Sequence, residues 1–417
     1  MSTLPSSDRT VVVVGAAAAG LAVVETLRRE GFDGKLILVG EEEHAPYDRP
    51  PLSKQILSSA WEVDRLPLRA QSEIDALALD LRLGVRATSL HVEDQHISLS
   101  DGSRVEYDTL VVCTGVRARR LPGDDGELDG VHVIRSIEDA LSLKSRLSTG
   151  SRLVVVGAGF LGSEVAAVAR ELGAEVTMVE PTPVPLAQAV GEDVGRSLSR
   201  THIAHGVDLR TGVTVSSLMR DGDRVTGVRL EDGTELVADN VLVGIGSIPN
   251  TEWLEGSGLT IADGLVCDEY CLAGPNVYSA GDVARWHNPL FGVSMRIEHR
   301  TNASEQGMAV ARNILAENPV PFAPVPYFWS DQYNIKIQAH GYLRGHDDCV
   351  VVEGSFEEGC FLVAYRKGDR LVGALSVGMM PKAIRPWRAA IANQMTSTDA
   401  LKSLRTPDSL PHAAASS

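Results

Sequence analysis

No cysteine precedes Cys113, and the five in the chain (Cys113, Cys267, Cys271, Cys349 and Cys360) are odd in number and scattered. This excludes a disulfide framework and any thiol pair near the start, and suits a reducing compartment. Cys267 and Cys271 have a spacing that a metal or redox pair could use. No second pair and no histidine lies near them, so ordinary thiols are expected, and no metal. Aromatic residues make up only 5% of the chain while glycines number 39, which argues against an aromatic-rich sandwich and for an α/β protein of many short loops. Basic residues are outnumbered 39 to 55, for a formal net charge of −16. That excludes general nucleic-acid affinity but leaves room for a local basic patch. No apolar stretch approaches membrane-spanning length. The segment Met1–Thr10 is short and polar, and the Val11–Val14 run is too brief for a signal-peptide core. The expectation is a cytoplasmic protein with no membrane contact.

Two glycine fingerprints stand out in the 417 residues, a length suited to two or three domains. The first runs Val11-Val12-Val13-Val14-Gly15-Ala16-Ala17-Ala18-Ala19-Gly20. The second runs Val154-Val155-Val156-Gly157-Ala158-Gly159-Phe160-Leu161-Gly162. A buried parallel strand, a tight turn and a small-residue helix start bring backbone N–H groups and a helix dipole onto a pyrophosphate. Each fingerprint has an acidic residue after the next strand, Glu41 and Glu180, placed for ribose hydroxyls. Glu42 could replace Glu41 after a small loop shift. One such motif is weak evidence; two argue for two dinucleotides and electron flow between them.

The pattern predicts a first βαβ unit with strand 11–14, helix 18–30 and strand 35–40. A proline-broken extended loop should follow from His44 to Lys54. A hairpin is expected over 96–108 with Asp101-Gly102 at its turn, then a buried strand at Leu110–Gly115. The second βαβ unit spans 151–180. Asp232-Gly233 marks another hairpin, Leu242–Gly246 and Val277–Asp282 are strand-to-glycine segments, and a helix should begin after Thr301-Asn302 and end before Pro319. Beyond Pro319–Pro326, strands are expected around 336–338, 349–353, 361–366 and 371–377, then a helix near 382–396.

An ordered set of motifs gives a family resemblance over nearly the whole chain, to about residue 400. It comprises the first fingerprint, Pro46-Tyr47-Asp48-Arg49-Pro50-Pro51-Leu52-Ser53-Lys54, Thr114-Gly115, Gly157-x-Gly159-x-x-Gly162-x-Glu164, Gly281-Asp282, Arg296-Ile297-Glu298 and Phe328-Trp329-Ser330-Asp331-Gln332. The chain resembles the flavin-dependent, NADH-using ferredoxin reductases of bacterial oxygenase systems. The resemblance implies an α/β fold with two Rossmann-like dinucleotide-binding domains, of glutathione-reductase-like architecture, plus a C-terminal α+β domain. The expected parts are an FAD domain in two pieces (1–117 and 246–322), an inserted NADH domain (118–245), a C-terminal domain (323–405) and a disordered tail (406–417). Two departures stand out: Ala17 replaces the middle glycine of the first fingerprint, and Arg300 stands where an aromatic or apolar residue is common.

The resemblance distributes roles. FAD is expected on Gly15, Ala19, Gly20, Glu41, Arg49, Lys54, Ala87, Thr114, Gly115, Arg135, Asp282, Arg300 and Trp329. Asp282 suits the ribityl hydroxyls, with a helix N-cap as its plainer reading. Trp329 could edge the flavin or pack between domains. NADH is expected on Gly157, Gly159, Phe160, Leu161, Gly162, Glu164, Glu180 and Gly246. Phe160 could cover the flavin ring or merely pack. Glu180, followed by Pro181-Thr182-Pro183-Val184-Pro185 with no Arg or Lys, favours NADH over NADPH. Lys54 and Glu164 are the expected catalytic pair, an ammonium that offsets electron density on the flavin and a carboxylate that holds it.

Disulfide reductases of this architecture carry early cysteines, and this chain has none, so electrons should leave to an outside acceptor. The expected partner is an iron–sulfur ferredoxin serving a cytochrome P450 or a Rieske oxygenase, with the protein a monomer or weak homodimer. The ferredoxin would dock on a basic patch drawn from Arg65, Arg69, Arg296, Arg300, Lys382 and Arg385. Alternatives are a rubredoxin reductase and an NADH-sensing flavoprotein of the apoptosis-inducing-factor type.

Overall fold

A computed structural model describes residues 6–404 apart from 125 and 127, so the expected tail, 406–417, lies outside the described residues. The chain divides into two compact units. One holds the chain up to Pro51 together with Glu62–Ala118 and Ser247–Pro324; the other holds Leu52–Trp61, Arg119–Gly246 and the chain from Val325 onwards.

The first unit is built on a six-stranded sheet in the order Leu272–Gly274, Val277–Ser279, Thr109–Val112, Thr10–Val14, Lys35–Val39, Asp80–Arg82. All neighbours are parallel except the first pair. Val11–Val14 form its centre and are buried on both faces, as an unbroken β-branched run requires. The helix Ala18–Arg29 returns the chain to the neighbouring strand and packs against the helix Arg300–Leu315. That contact is close: a Cβ on Gly307 would meet the Ala19 carbonyl oxygen at 2.5 Å. The antiparallel pair Val116–Ala118 and Ser247–Pro249 ties together the points where the chain leaves this unit for its longer excursion, Arg119–Gly246, and re-enters it.

The helix Arg300–Leu315 starts earlier than its sequence suggested. His299 is its N-cap residue, in extended conformation, and Thr301-Asn302 already lie within the first turn. Asn302 does not cap because it is 2% exposed and faces inward, with its amide toward Gln306. The loop from His44 likewise ends sooner than expected. It runs as bends, with one isolated bridge at Tyr47 and a turn at Pro50-Pro51, and Leu52–Ile56 then form one π-helical turn that buries Lys54. Pro50 and Pro51 exclude a helix before them but are compatible with one that starts beyond.

The second unit contains an all-parallel five-stranded sheet in the order Asp208–Thr211, Glu175–Glu180, Arg152–Val156, Asn240–Val243, Val131–His132. It also contains an antiparallel sheet in the order Tyr327–Gln332, Ile335–Gly341, Arg370–Val377, Cys360–Lys367, Asp348–Ser355. The helix Pro381–Ala392 covers this sheet, with Trp387 and Ile391 buried. Tyr327–Gln332 was not expected as a strand, because its bulky aromatics are followed by polar residues without clean alternation.

The Gly307 contact gives a direct test. Gly307→Val should destabilise the protein by about 1–3 kcal/mol through overpacking against Ala19. A thermal or urea midpoint equal to that of the parent would show that the two helices can separate without loss.

Candidate functional site

The first fingerprint turns at Gly15, whose φ is +119° and whose place is set by the chain itself, since a Cβ there would meet the Cys113 carbonyl oxygen at 2.1 Å. Gly20 is equally confined, 2.1 Å from the Gly15 oxygen by the same measure. Ala17 sits between them with φ −129°, ordinary extended backbone, so its methyl introduces no strain. The helix Ala18–Arg29 has no side-chain cap, which leaves its first N–H groups available to an anion. Ala19 lies under the Gly281 turn, where a Cβ on Gly281 would sit 3.0 Å from its methyl.

Glu41 and Glu42 are separated by their surroundings. Glu42 binds Arg49 and accepts from the Tyr47 hydroxyl. Arg49 also donates to that hydroxyl at 2.7 Å and lies over the Tyr47 ring. Burial opposes the Arg49 charge, but Tyr47, Glu42 and Asp282 outweigh it and raise the pKa. Glu41 is exposed and lies 3.7 Å from Arg86, away from the Arg49 and Tyr47 groups that take up Glu42.

Asp282 follows Gly281 in a turn and leads into the strand Ala284–Asn288, so no helix follows for it to cap. The turn is held by Gln306, fully buried, whose Oε1 accepts from the Gly281 N–H at 2.9 Å. Sequence reading missed Gln306; its only signal was a polar residue on the inner face of an amphipathic helix. Thr114 and Gly115 are clamped to Asn250: Thr114 Oγ1 donates to the Asn250 carbonyl at 2.8 Å, and the Asn250 amide donates to the Thr114 carbonyl at 2.9 Å. Ala87 begins the strand Ala87–His91 and is buried.

The second fingerprint separates glycines the fold needs from one it does not. A Cβ on Gly157 would meet the Gly244 oxygen at 2.4 Å, and one on Gly162 would meet the Gly157 oxygen at 2.1 Å. A Cβ on Gly159 would meet nothing within 4 Å, and its φ of −73° suits any residue. The protein gains nothing from glycine there, so the space fits a group from outside the chain approaching the backbone. Glu180 is drawn into the same turn: Oε2 accepts from the Ala158 N–H at 2.9 Å, and Oε1 accepts from the N–H and hydroxyl of Thr182 at 3.1 and 2.8 Å. It faces the fingerprint. Phe160 and Leu161 open the helix Phe160–Glu171, and Phe160 also packs on Phe328 with ring centroids 4.9 Å apart. Gly246, at φ +95°, ends the segment that follows Asn240–Val243.

Glu164 lies one turn into that helix and is 6% exposed, and Lys54 is 9% exposed. Lys54 Nζ donates to Glu164 Oε2 at 2.7 Å. Ser53 donates to the same oxygen at 2.6 Å, and Ser330 donates to Oε1 at 2.8 Å. Ser330 comes from the strand Tyr327–Gln332, which also carries Trp329, stacked beside Tyr327. The two serines were missed as site residues because a lone serine carries no pattern. Arg135 stands before the helix Ile137–Lys144, with its backbone N–H on Asp139.

The docking candidates are unequal. Arg300 donates to Asp48 and Ser304, Arg296 binds Asp263 and Glu298, and Arg69 binds Glu25. Lys382 and Arg385 are exposed and have no acidic partner among the described residues. Burial pushes the Cys113 and Cys271 thiols up to about 12, so neither is a thiolate near neutrality. Among the described residues, no cluster of three or more His, Cys, Asp or Glu could hold a metal, and no helix is long and apolar enough to cross a membrane.

Two sheets with parallel cores, each turning on a glycine fingerprint, define a protein of the two-dinucleotide class. Residues 9–307 match the family model described as pyridine nucleotide-disulphide oxidoreductase, and 327–405 match that described as reductase C-terminal. The chain belongs to this family. It is 37% identical to rhodocoxin reductase of Rhodococcus erythropolis over 390 residues, 93% of this chain and 90% of that protein. It is 36% identical to putidaredoxin reductase of Pseudomonas putida over 378 residues, 89% of each chain. Its structure is similar to that of putidaredoxin reductase in a covalent complex with putidaredoxin, with a TM-score of 0.91 and 33% identity over 95% of this chain and 98% of that one.

The buried pair yields a double-mutant test. Glu164→Leu should cost about 3–5 kcal/mol by stranding the Lys54 ammonium, whereas Lys54→Met with Glu164→Leu should recover most of it. Denaturation midpoints of the four proteins check this. Additive losses would mean the pair is not coupled.

Proposed function

We propose that the chain is an NADH:ferredoxin oxidoreductase that passes electrons singly to an iron–sulfur ferredoxin serving an oxygenase, a cytochrome P450 or a Rieske enzyme. One observation carries the reading: the helix that opens at the second fingerprint also bears Glu164, which holds the buried Lys54 ammonium. A nicotinamide-binding turn and a charge-compensating pair on one helix suit hydride transfer. The cofactors are FAD and NAD(H). Bound FAD supplies the chemistry the side chains lack, accepting a hydride and returning electrons one at a time.

The roles proposed for the residues are these. Gly15, Ala19, Gly20, Glu41 and Asp282, with Arg49, Ala87, Thr114, Gly115 and Arg300, serve FAD, as do Lys54, Arg135 and Trp329. Gly157, Gly159, Phe160, Leu161, Gly162, Glu180 and Gly246 serve NADH. Lys54 supplies positive charge for the hydride step, and Glu164 fixes its position. Cys113 and Cys271, buried and held as thiols, are unsuited to carrying electrons onward. The rubredoxin-reductase and NADH-sensor readings are not favoured. The protein works in the cytoplasm.

The purified protein should be yellow and should reduce a [2Fe–2S] ferredoxin with NADH. A protein that cannot be loaded with FAD would overturn the reading. Glu180→Ala combined with Pro181→Arg should relax or invert the preference for NADH over NADPH, because a repelling carboxylate is lost and a phosphate partner gained. Equal flavin reduction by NADPH in the parent would remove that role from Glu180.

Ferredoxin reduction should slow as salt rises while hydride transfer from NADH barely changes, since screening over about 8 Å acts on exposed charges. Lys382→Glu with Arg385→Glu should raise the apparent KM for ferredoxin several-fold, more than a change at Arg300, whose charge is already paired with Asp48. An unchanged KM and salt dependence would place docking elsewhere.

A further inference from the structure

The hydrogen bonds that end on Glu164 do not start at Ser330. Gln332, two residues along the same strand and 2% exposed, donates from Nε2 to Ser330 Oγ at 3.2 Å. Its Oε1 lies 3.1 Å from Nε2 of His202, which is 3% exposed on the helix Glu192–Ala204. His202 Nδ1 lies 3.1 Å from the Tyr333 hydroxyl. Tyr333 turns the chain between two strands at φ +53°, a left-handed conformation unfavourable for tyrosine, and its ring stacks on His205 with centroids 3.7 Å apart.

Each member has few hydrogens, so the series can run in only two senses. Burial pushes the His202 pKa down to about 4, so near neutrality the ring is uncharged and has one N–H. In one sense His202 Nε2–H donates to Gln332, the Gln332 amide donates to Ser330, and Ser330 must give its single hydrogen to Glu164. In the other, Gln332 is turned over and donates to His202, Ser330 donates to Gln332, and Glu164 Oε1 loses its donor. A hydrogen bond to a carboxylate is roughly twice as strong as a neutral one, which selects the first sense. The amide of Gln332 fixes dipoles and is unsuited to passing protons, so the series orients and does not conduct.

We propose that His202 and Gln332 are positioning residues for Glu164: through Ser330 they aim a one-way series of donors at its carboxylate, fix its orientation and so hold Lys54 in one place. This rests on the reading of Lys54 and Glu164 as the pair serving hydride transfer. It also makes the His202 tautomer a reporter of the Glu164 carboxylate, three side chains away.

The test reads that tautomer by long-range 1H–15N NMR on the FAD-loaded protein with 15N-labelled histidine, at pH 7.5 and without nicotinamide. The His202 signals are those lost in His202→Phe. The expected state is Nε2–H in the parent. It should remain so in Tyr333→Phe, which removes only the far partner, and switch to Nδ1–H in Glu164→Leu. An Nδ1–H tautomer in the parent overturns the proposal, and so does a switch in Tyr333→Phe or none in a folded Glu164→Leu. Neither NADH nor ferredoxin enters the measurement. Failure of the functional reading would therefore appear in the reduction assay, and failure of this inference in the tautomer.

Discussion

The constraint on which the rest depends is a lysine paired with a carboxylate where water scarcely reaches. An ammonium 9% exposed needs a carboxylate, and the Lys54–Glu164 bond at 2.7 Å provides one. Burying both ions carries a desolvation penalty of several kcal/mol each, which their attraction repays only when the remaining lone pairs are also satisfied. Ser53 and Ser330 satisfy them. A well-packed apolar pair would be as stable or more so, which makes stability a poor reason for these ions. A reaction that develops charge is a better one. The π-turn at Leu52–Ile56 brings Lys54 in, the helix from the second fingerprint brings Glu164, and the strand Tyr327–Gln332 brings Ser330.

The two fingerprints express one physical requirement in different ways. A strand can turn into a helix against its neighbour only if the first glycine leaves room for a carbonyl and the third leaves room for the first. Gly15 and Gly20 obey this, and so do Gly157 and Gly162. The middle position is free of that packing constraint. Glycine at 159 leaves it open, whereas Ala17 fills part of it without backbone strain. The first turn thus presents a methyl where the second presents bare backbone, a difference in how closely any group from outside could approach each.

What was legible in the sequence was whatever repeats or is forbidden. The Val11–Val14 and Val154–Val156 runs, the glycine turns, and the hairpins at Asp101-Gly102 and Asp232-Gly233 gave strands and connections where the structure has them. The helix start at Arg300 was misplaced because Asn302 looks like a cap and is buried as a packing residue. The strand Tyr327–Gln332 carries no alternation to announce it, although Ser330 and Gln332 share one face for a reason: both serve Glu164. Lys54 and Glu164 came from a resemblance, since a lysine after two prolines and a glutamate in a helix are otherwise unremarked. Ser53, Ser330, Gln332, His202 and Gln306 were invisible because their roles lie in contacts between residues far apart in the chain.

Charge is the remaining constraint, and it is one of distribution more than of total. With a net charge of −16, the surface as a whole repels an acidic partner. Most arginines that could offset this are neutralised locally: Arg296 by Asp263 and Glu298, Arg300 by Asp48, Arg69 by Glu25. A paired charge contributes little beyond a few ångströms, because its partner cancels the field before screening does. Long-range attraction must then come from basic residues whose fields stay open, and the helix Pro381–Ala392 offers Lys382 and Arg385 on its exposed side while Ile384 and Trp387 anchor its other face. Its packing against the sheet that carries Ser330 and Trp329 puts those open charges in the same domain as a residue that steadies Glu164. The exposed Lys382 and Arg385 and the serine that donates to Glu164 thus belong to one antiparallel sheet and the helix that covers it.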